Sequence, residues 1–333
     1  MKFDERHLVQ LAAVVEAGSV TEGATLLGMS QPAISRTLSM IEKRVGEPLF
    51  IAGRRPLQPT ALGRQLAIHG KAILAASRKA TETVSSFRGG TSGRVRVRGV
   101  PFFMDAVVSG IIATFQMQQP GIHFDQSYGH YNELVISLLA NEIDVAITPA
   151  GTQDISSELV FEPLIPARNI VACNAAHPLL MKKKLSKIDV VSFSWVAPLP
   201  GSPLMLDLTN ILMTLGIGEL AIRYAGGSLH SVVNYLAATQ ALAIMPLSVI
   251  HSLQQEKRIT ILPLNIPQPE RMIGIVYRRQ SDTDPVNRKF FTHLRANLVN
   301  LARVVARHEA SIKWEYGPFM HAHYPDVDRK SVV

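Results

Sequence analysis

Gln31, Ser35, Arg36 and Ser39 fall at spacings that a helix gathers on one side, with Ile34, Leu38, Ile41 and Val45 on the other. One face packs and the other is free to read an outside partner. A guanidinium such as that of Arg36 can bond guanine O6 and N7 together, and the amide of Gln31 can do the same for adenine N6 and N7. Ser35 and Ser39 are smaller hydrogen-bonding partners. Ser30-Gln31-Pro32 opens the helix: Ser30 can cap it, Pro32 stands in the first turn that tolerates a missing N–H, and the exposed amides there suit a phosphate. Further on, Gly53-Arg54-Arg55-Pro56 joins turn formers to two adjacent cations, like the tip of a small wing. Any one of these polar residues can equally be merely solvent-exposed. Taken as a set they point to double-stranded DNA, with some contacts positioning on phosphates and others reading bases.

The elements that must hold these residues are short helices. Phe3, Leu8, Leu11, Ala12 and Val15 keep helical spacing until Gly18, and a second helix runs from about Thr21 through Ala24 and Leu27 to Gly28 and Met29, capped by Ser19 or Thr21. The third covers Gln31 to Arg44. From Thr60 to Phe87 a long helix repeats Leu62, Leu66, Ile73, Ala80, Val84 and Phe87, about 27 residues or roughly 40 Å. Such a stripe needs a partner, either a second copy or helix one of the same chain, and both can hold. Gly89-Gly90-Thr91-Ser92-Gly93 reads as a linker and not as a phosphate loop, since no strand precedes it and no G-x-G-x-x-G is completed.

Beyond the hinge, strands and helices alternate. Strands are expected at Val95 to Gly99, His123 to Ser127 and Val145 to Thr148, with helices at Phe103 to Gln116 and Glu133 to Asn141. A second set follows: strands Asn169 to Cys173, Trp195 to Ala197, Ala221 to Tyr224 and Ala243 to Met245, with helices Leu204 to Leu215 and Leu229 to Thr239. A strand from Met272 to Tyr277 and a helix from about Val286 to Arg307 close the chain's folded part. This pattern implies two α/β lobes with mostly parallel sheets.

Composition sets the remaining bounds. The 333 residues allow two or three cores, and 47% hydrophobic against 18% charged residues exclude a disordered chain. Of the net charge of +8, residues 1 to 90 carry +5, from 12 Lys and Arg against 7 Asp and Glu, which fits a polyanionic partner. The single cysteine, Cys173, cannot form an internal disulfide and reads as a small buried hydrophobe. The N-terminus MKFDERHL has no apolar core and no run nears the roughly 18 apolar residues that span a bilayer, so a cytoplasmic protein with no membrane partner is expected. An enzyme is not expected: G-x-S-x-G, H-E-x-x-H, a Walker loop and zinc-spaced Cys/His clusters are missing. His321-Ala322-His323 reads as exposed and not as a metal site, Lys182-Lys183-Lys184 as a solvated helix face, and no cofactor is expected. A solute-binding protein would explain the lobes but leaves residues 3 to 87 unused.

Together these residues resemble the LysR-type transcriptional regulators. The likeness runs through Ser19-Val20-Thr21, Ala24, Leu27, Ser30-Gln31-Pro32-Ala33-Ile34-Ser35, Ile41-Glu42, Gly46, Pro48-Leu49-Phe50, Arg54, Thr60 and Gly63. It continues through Gly93-Arg94-Val95-Arg96-Val97, Phe115, Pro120-Gly121, Ile143-Asp144-Val145-Ala146-Ile147, His177-Pro178-Leu179 and Ala241-Leu242-Ala243-Ile244-Met245-Pro246, about residues 3 to 300. It implies an N-terminal all-α winged helix-turn-helix (1–60), a linker and dimerisation helix (61–88), a hinge (89–93) and a two-lobed α/β effector domain like periplasmic binding proteins (94–308); the remaining tail (309–333) has no counterpart in the family. It also implies promoter or operator DNA, a small-molecule effector, a homodimer that commonly forms homotetramers, and RNA polymerase as partners. The expected DNA-binding residues are Thr21, Ser30, Gln31, Pro32, Ser35, Arg36, Ser39, Arg54 and Arg55.

Effector contacts are expected where strands meet helices, at Val100, Pro101, Phe102, Gly129, His130, Tyr131, Thr148, Ser202, Gly227 and Ser228. For Ser202 and Ser228 the plainer role of helix N-cap is at least as fitting, and both roles can hold. Three positions depart from the family pattern. Val20 replaces a usual aromatic, and Ile51-Ala52 stands where a polar wing residue often follows Leu-Phe. Val100-Pro101 occupies a place that often carries a hydroxyl, which argues mildly against a strongly anionic ligand.

Overall fold

The computed structural model describes residues 2–314 apart from 90–92, 151–155, 183–184, 186, 216, 219 and 267. The centre of the expected hinge, Lys183, Lys184, and the tail with His321 and His323 lie outside them. Contacts divide the chain into two compact units, one of Met1–Arg96, Gly121–Asp125 and Asn132–Asp144, the other of the remainder.

Four helices dominate the first unit: α1 (Glu5–Ala17), α2 (Val20–Leu26), α3 (Gln31–Val45) and α4 (Ala61–Gly89). Asp4 caps α1 by accepting from Arg6 N at 2.9 Å, and Gly18 ends it at φ 64°, a backbone state that glycine enters without a Cβ penalty. Ser19 then caps α2, accepting from Glu22 N at 3.5 Å, which decides between the two cap candidates. Leu11, Val14, Ile34 and Leu49 are fully buried in one small core, each contributing roughly 1.5–3 kcal/mol through removal from water.

The long α4 lies along α1, and the buried residues of its first half include Gly63, Ala67, Gly70 and Ala75. Leu62, Leu66 and Ile73, taken from the sequence as the stripe, are half-buried, while Ala80 and Val84 are exposed. The small residues matter because the backbones nearly touch: a Cβ on Gly70 would stand 2.0 Å from the Leu8 carbonyl oxygen, and one on Gly63 2.1 Å from that of Leu49.

The rest of the chain runs β1 (Gly93–Gly99), α5 (Pro101–Phe103), α6 (Ser109–Gln118), β2 (Ile122–Tyr128), α7 (Tyr131–Leu139), β3 (Val145–Ala150), β4 (Leu159–Pro166) and β5 (Asn169–Asn174). Then come α8 (Lys187–Val191), β6 (Trp195–Ala197), α9 (Pro203–Leu215), β7 (Ile222–Ala225), α10 (Leu229–Ala238) and β8 (Leu242–Pro246). The series closes with α11 (Leu247–Leu253), β9 (Ile259–Leu262), β10 (Met272–Arg278) and α12 (Pro285–Ser311). A π-helical turn at Met104–Val108 joins α5 to α6, so the helix expected at Phe103 starts earlier and is not uniform.

The strands form two five-stranded sheets, ordered β2-β1-β3-β10-β4 and β7-β6-β8-β5-β9. Both are mixed, which corrects the expectation of mostly parallel sheets. β1 and β3 are parallel, as is β6 with both β7 and β8. β10 runs antiparallel to β3 and β4, and β5 antiparallel to β8 and β9. β5 and β10 are the first strands after the chain crosses from one sheet to the other. The alternation gave no sign of β4 or β9. Both are edge strands, where prolines such as Pro163 and Pro166 of β4 are tolerated. Among the described residues no helix is long and apolar enough to cross a membrane.

Candidate nucleic-acid interface and ligand cavity

On α3, the buried side is Ile34, Thr37, Leu38 and Ile41, whereas Gln31, Pro32, Arg36 and Ser39 are exposed and Ser35 is half-buried. Gln31 Nε2 donates to Ser35 Oγ at 3.1 Å, linking two of the expected base readers within one turn. Arg36 makes no ion pair among the described residues, so its fork of donors is available. Ser30 occupies the cap position of α3 without making the side-chain cap bond expected of it; its hydroxyl is exposed, and its backbone carbonyl accepts from Ala33 N at 3.0 Å. Thr21 lies exposed in the first turn of α2.

The wing is a minimal hairpin. Phe50 bridges Pro59 antiparallel, and Ile51 N donates to Gln58 O at 2.8 Å. Bonds tie it to its neighbours: Leu49 N donates to Glu42 Oε1 of α3 at 2.8 Å, Leu57 N to Gly18 O at 2.8 Å, and Arg64 Nη1 of α4 to Pro59 O at 2.9 Å. Between these anchors Arg54 and Arg55 are exposed. Glu42 thereby couples α3 to the wing, a role that its position on the helix does not announce.

In the second unit a cavity of about 120 Å³ opens among the strand ends. Of the expected effector contacts, Val100, Pro101, Phe102, His130, Ser202 and Gly227 line it; Gly129, Tyr131, Thr148 and Ser228 do not. For three of the latter there is a local reason. Gly129 N is spent on Gly99 O at 3.0 Å, and Thr148 Oγ1 donates to Pro149 O at 3.3 Å within the sheet. Ser228 caps α10, accepting from Ser231 N at 3.2 Å. Ser202 does both jobs, lining the cavity while accepting from Met205 N at 3.2 Å.

Sequence reasoning missed the polar wall. Asp207 on α9 is buried, accepts from Asn169 Nδ2 at 2.9 Å and pairs with Arg271. Asn169 is held in turn by Gln268, whose Nε2 donates to its carbonyl at 2.9 Å. These residues come from separate strands and helices, and no local motif marks them. Phe103, Pro149, Leu199 and Leu204 complete parts of the apolar wall and were also unforeseen. Cys173 is fully buried in β5, and burial pushes its thiol up to about 12, so it stays protonated.

Comparison with known proteins decides the family. Residues 6–64 match the bacterial regulatory helix-turn-helix protein, lysR family, and residues 88–299 the LysR substrate binding domain. The chain belongs to the LysR family of transcriptional regulators. It is a LysR-type regulator with a helix-turn-helix DNA-binding domain and a substrate-binding effector domain. It is 28% identical to the transcriptional regulator GalR of Pseudomonas putida over 83% of this chain and 69% of GalR. With GltC of Bacillus subtilis, a transcriptional dual regulator, identity is 24% over 86% of this chain and 94% of the relative. Among solved structures of the LysR fold, a full-length OxyR variant from Pseudomonas aeruginosa aligns with a TM-score of 0.60 at 16% identity, covering 90% of this chain and 99% of its own. Full-length CbnR complexed with its target DNA aligns at 0.57 with 19% identity, covering 89% and 100%.

Proposed function

We propose that α3 enters a promoter major groove with Arg36 and Gln31 at base edges and Ser35 and Ser39 beside them. Thr21, Ser30, Pro32 and the wing residues Arg54 and Arg55 meet sugar and phosphate. The observation that carries this reading is the polar face of α3, on which Arg36 is exposed and unspent while the opposite face is buried. CbnR, similar in fold, has been solved on its target DNA.

The half-buried stripe of α4 and its exposed Val84 support pairing with a second copy, as a dimer that can assemble further to a tetramer. The chain acts in the cytoplasm on promoter DNA, with RNA polymerase as the machinery it influences, and carries out no chemical conversion. The cavity of the second unit takes the effector, whose binding shifts an equilibrium between arrangements of the regulator. A mobility-shift series tests the core of this reading: the protein retards a fragment from upstream of its own gene in preference to a scrambled fragment, with affinity falling steeply as salt rises. Equal retardation of both fragments at every salt concentration overturns it.

A further inference from the structure

We infer that the effector is a neutral, mainly apolar molecule about one ring in size that presents a hydrogen-bond acceptor to Arg271. The inference rests on the reading of the cavity as the effector site. Phe102, Phe103, Val196, Leu204, Val232 and Ile244 supply apolar wall around about 120 Å³. Apolar cavities of roughly 150 Å³ admit a benzene ring, so the space matches one ring and not a fused system.

Charge argues against an anion. The ionisable residues along the described wall are Arg271, Asp207 and His130, and Arg271 is already paired with Asp207. A carboxylate entering here would meet a compensated cation with a buried carboxylate at its side, and it would lose its water without gaining a free counter-charge.

The helix starts point the same way. α5 and α9 both begin at the cavity with proline, Pro101 and Pro203, so each lacks the first N–H that an anion would use. Further into the first turn of α9, Met205 N is taken by Ser202 Oγ at 3.2 Å. Despite its pairing with Asp207, Arg271 keeps a donor over: its Nε is buried and has no acceptor among the described residues. A buried N–H without a partner is costly, and a ligand oxygen would relieve it.

Titration calorimetry on the full-length protein with acetophenone, benzoate and succinate tests this. Acetophenone is expected to bind, benzoate at least about tenfold more weakly and succinate not at all. Ala243→Leu, which narrows the cavity, is expected to abolish acetophenone binding while the mobility shift on DNA persists. Pro203→Ala, which returns an amide to the start of α9, is expected to narrow the gap between acetophenone and benzoate, and gives an independent readout should Ala243→Leu fold poorly. Benzoate or succinate binding more tightly than acetophenone overturns the inference but leaves an effector site in place. Acetophenone bound preferentially with no change in the DNA footprint upholds the ligand class and removes the effector reading. No heat with any probe at millimolar concentration overturns the inference.

Discussion

The helix-turn-helix and the ligand cavity treat charge in opposite ways. In the first, Arg36, Arg54 and Arg55 stand in water and no described carboxylate neutralises them, so their fields reach outward. In the second, Arg271 is tied to Asp207 and most of the remaining wall is apolar. A surface that must find a polyanion keeps its cations unspent; a cation spent on an internal partner offers an incoming ion no free counter-charge. The packing differs too. The first unit draws α1 and α4 together through glycine and alanine, and the second leaves space between large side chains.

The largest expected effect lies in the cavity wall. Arg271→Met strands the buried Asp207 carboxylate, and denaturant unfolding should show a loss of about 3–5 kcal/mol, most of it recovered when Asp207→Leu is added. A loss typical of an exposed pair would erase the contrast drawn above. Next comes Gly70→Ala: a Cβ 2.0 Å from the Leu8 carbonyl must push α4 from α1, lowering stability by about 1–3 kcal/mol in thermal melts. Arg36→Ala should cost about 1–3 kcal/mol of affinity for the upstream fragment and relax preference at one base position, with random DNA bound almost as before. Equal loss on both DNAs would move Arg36 to the phosphate contacts.

Smaller still, Arg54→Ser or Arg55→Ser should weaken binding uniformly across sequences and reduce the slope of log K against log salt by about 1. The slightest effect is acid sensitivity at α11 and α12, where the His251 and His308 Nδ1 atoms are 3.3 Å apart. Burial holds both histidines below the ordinary 6.5, and His308 is lowered further by the neighbouring His251 charge. The unfolded chain therefore binds more protons just below that value. The stability that these residues contribute is intact above pH 6.5 and is lost as pH falls through their depressed folded values. Melts of His308→Gln over that window should be flatter than those of the parent.

The polar face of α3 was legible because everything that makes it lies within a few turns of one helix, where a period of 3.6 sorts Ile34 from Arg36 without help. The wing was legible from Gly53 and Pro56. The cap of α3 was not: Ser30 has the right residue type in the right place, yet its hydroxyl makes no cap bond. Of the seam between α1 and α4 the stripe marked Leu62 and Leu66, which pack against the core, but not Gly63 and Gly70, since hydrophobic periodicity counts leucines and is blind to a glycine valued for its lack of a side chain. At the cavity, Val100, Pro101 and Ser202 could be found as strand-to-helix junctions, whereas Asn169, Asp207 and Arg271 carry no local mark.

By itself the sequence determined the order of most elements, the polar and apolar faces of the short helices and the excess of cations in the first 90 residues, because these depend on near neighbours and on composition. Tertiary structure decided the direction of β5 and β10, the close approach of Gly70 to Leu8, and the meeting of Asp207 with Arg271. Those depend on segments tens of residues apart, brought together by burial that acts on area and not on sequence distance.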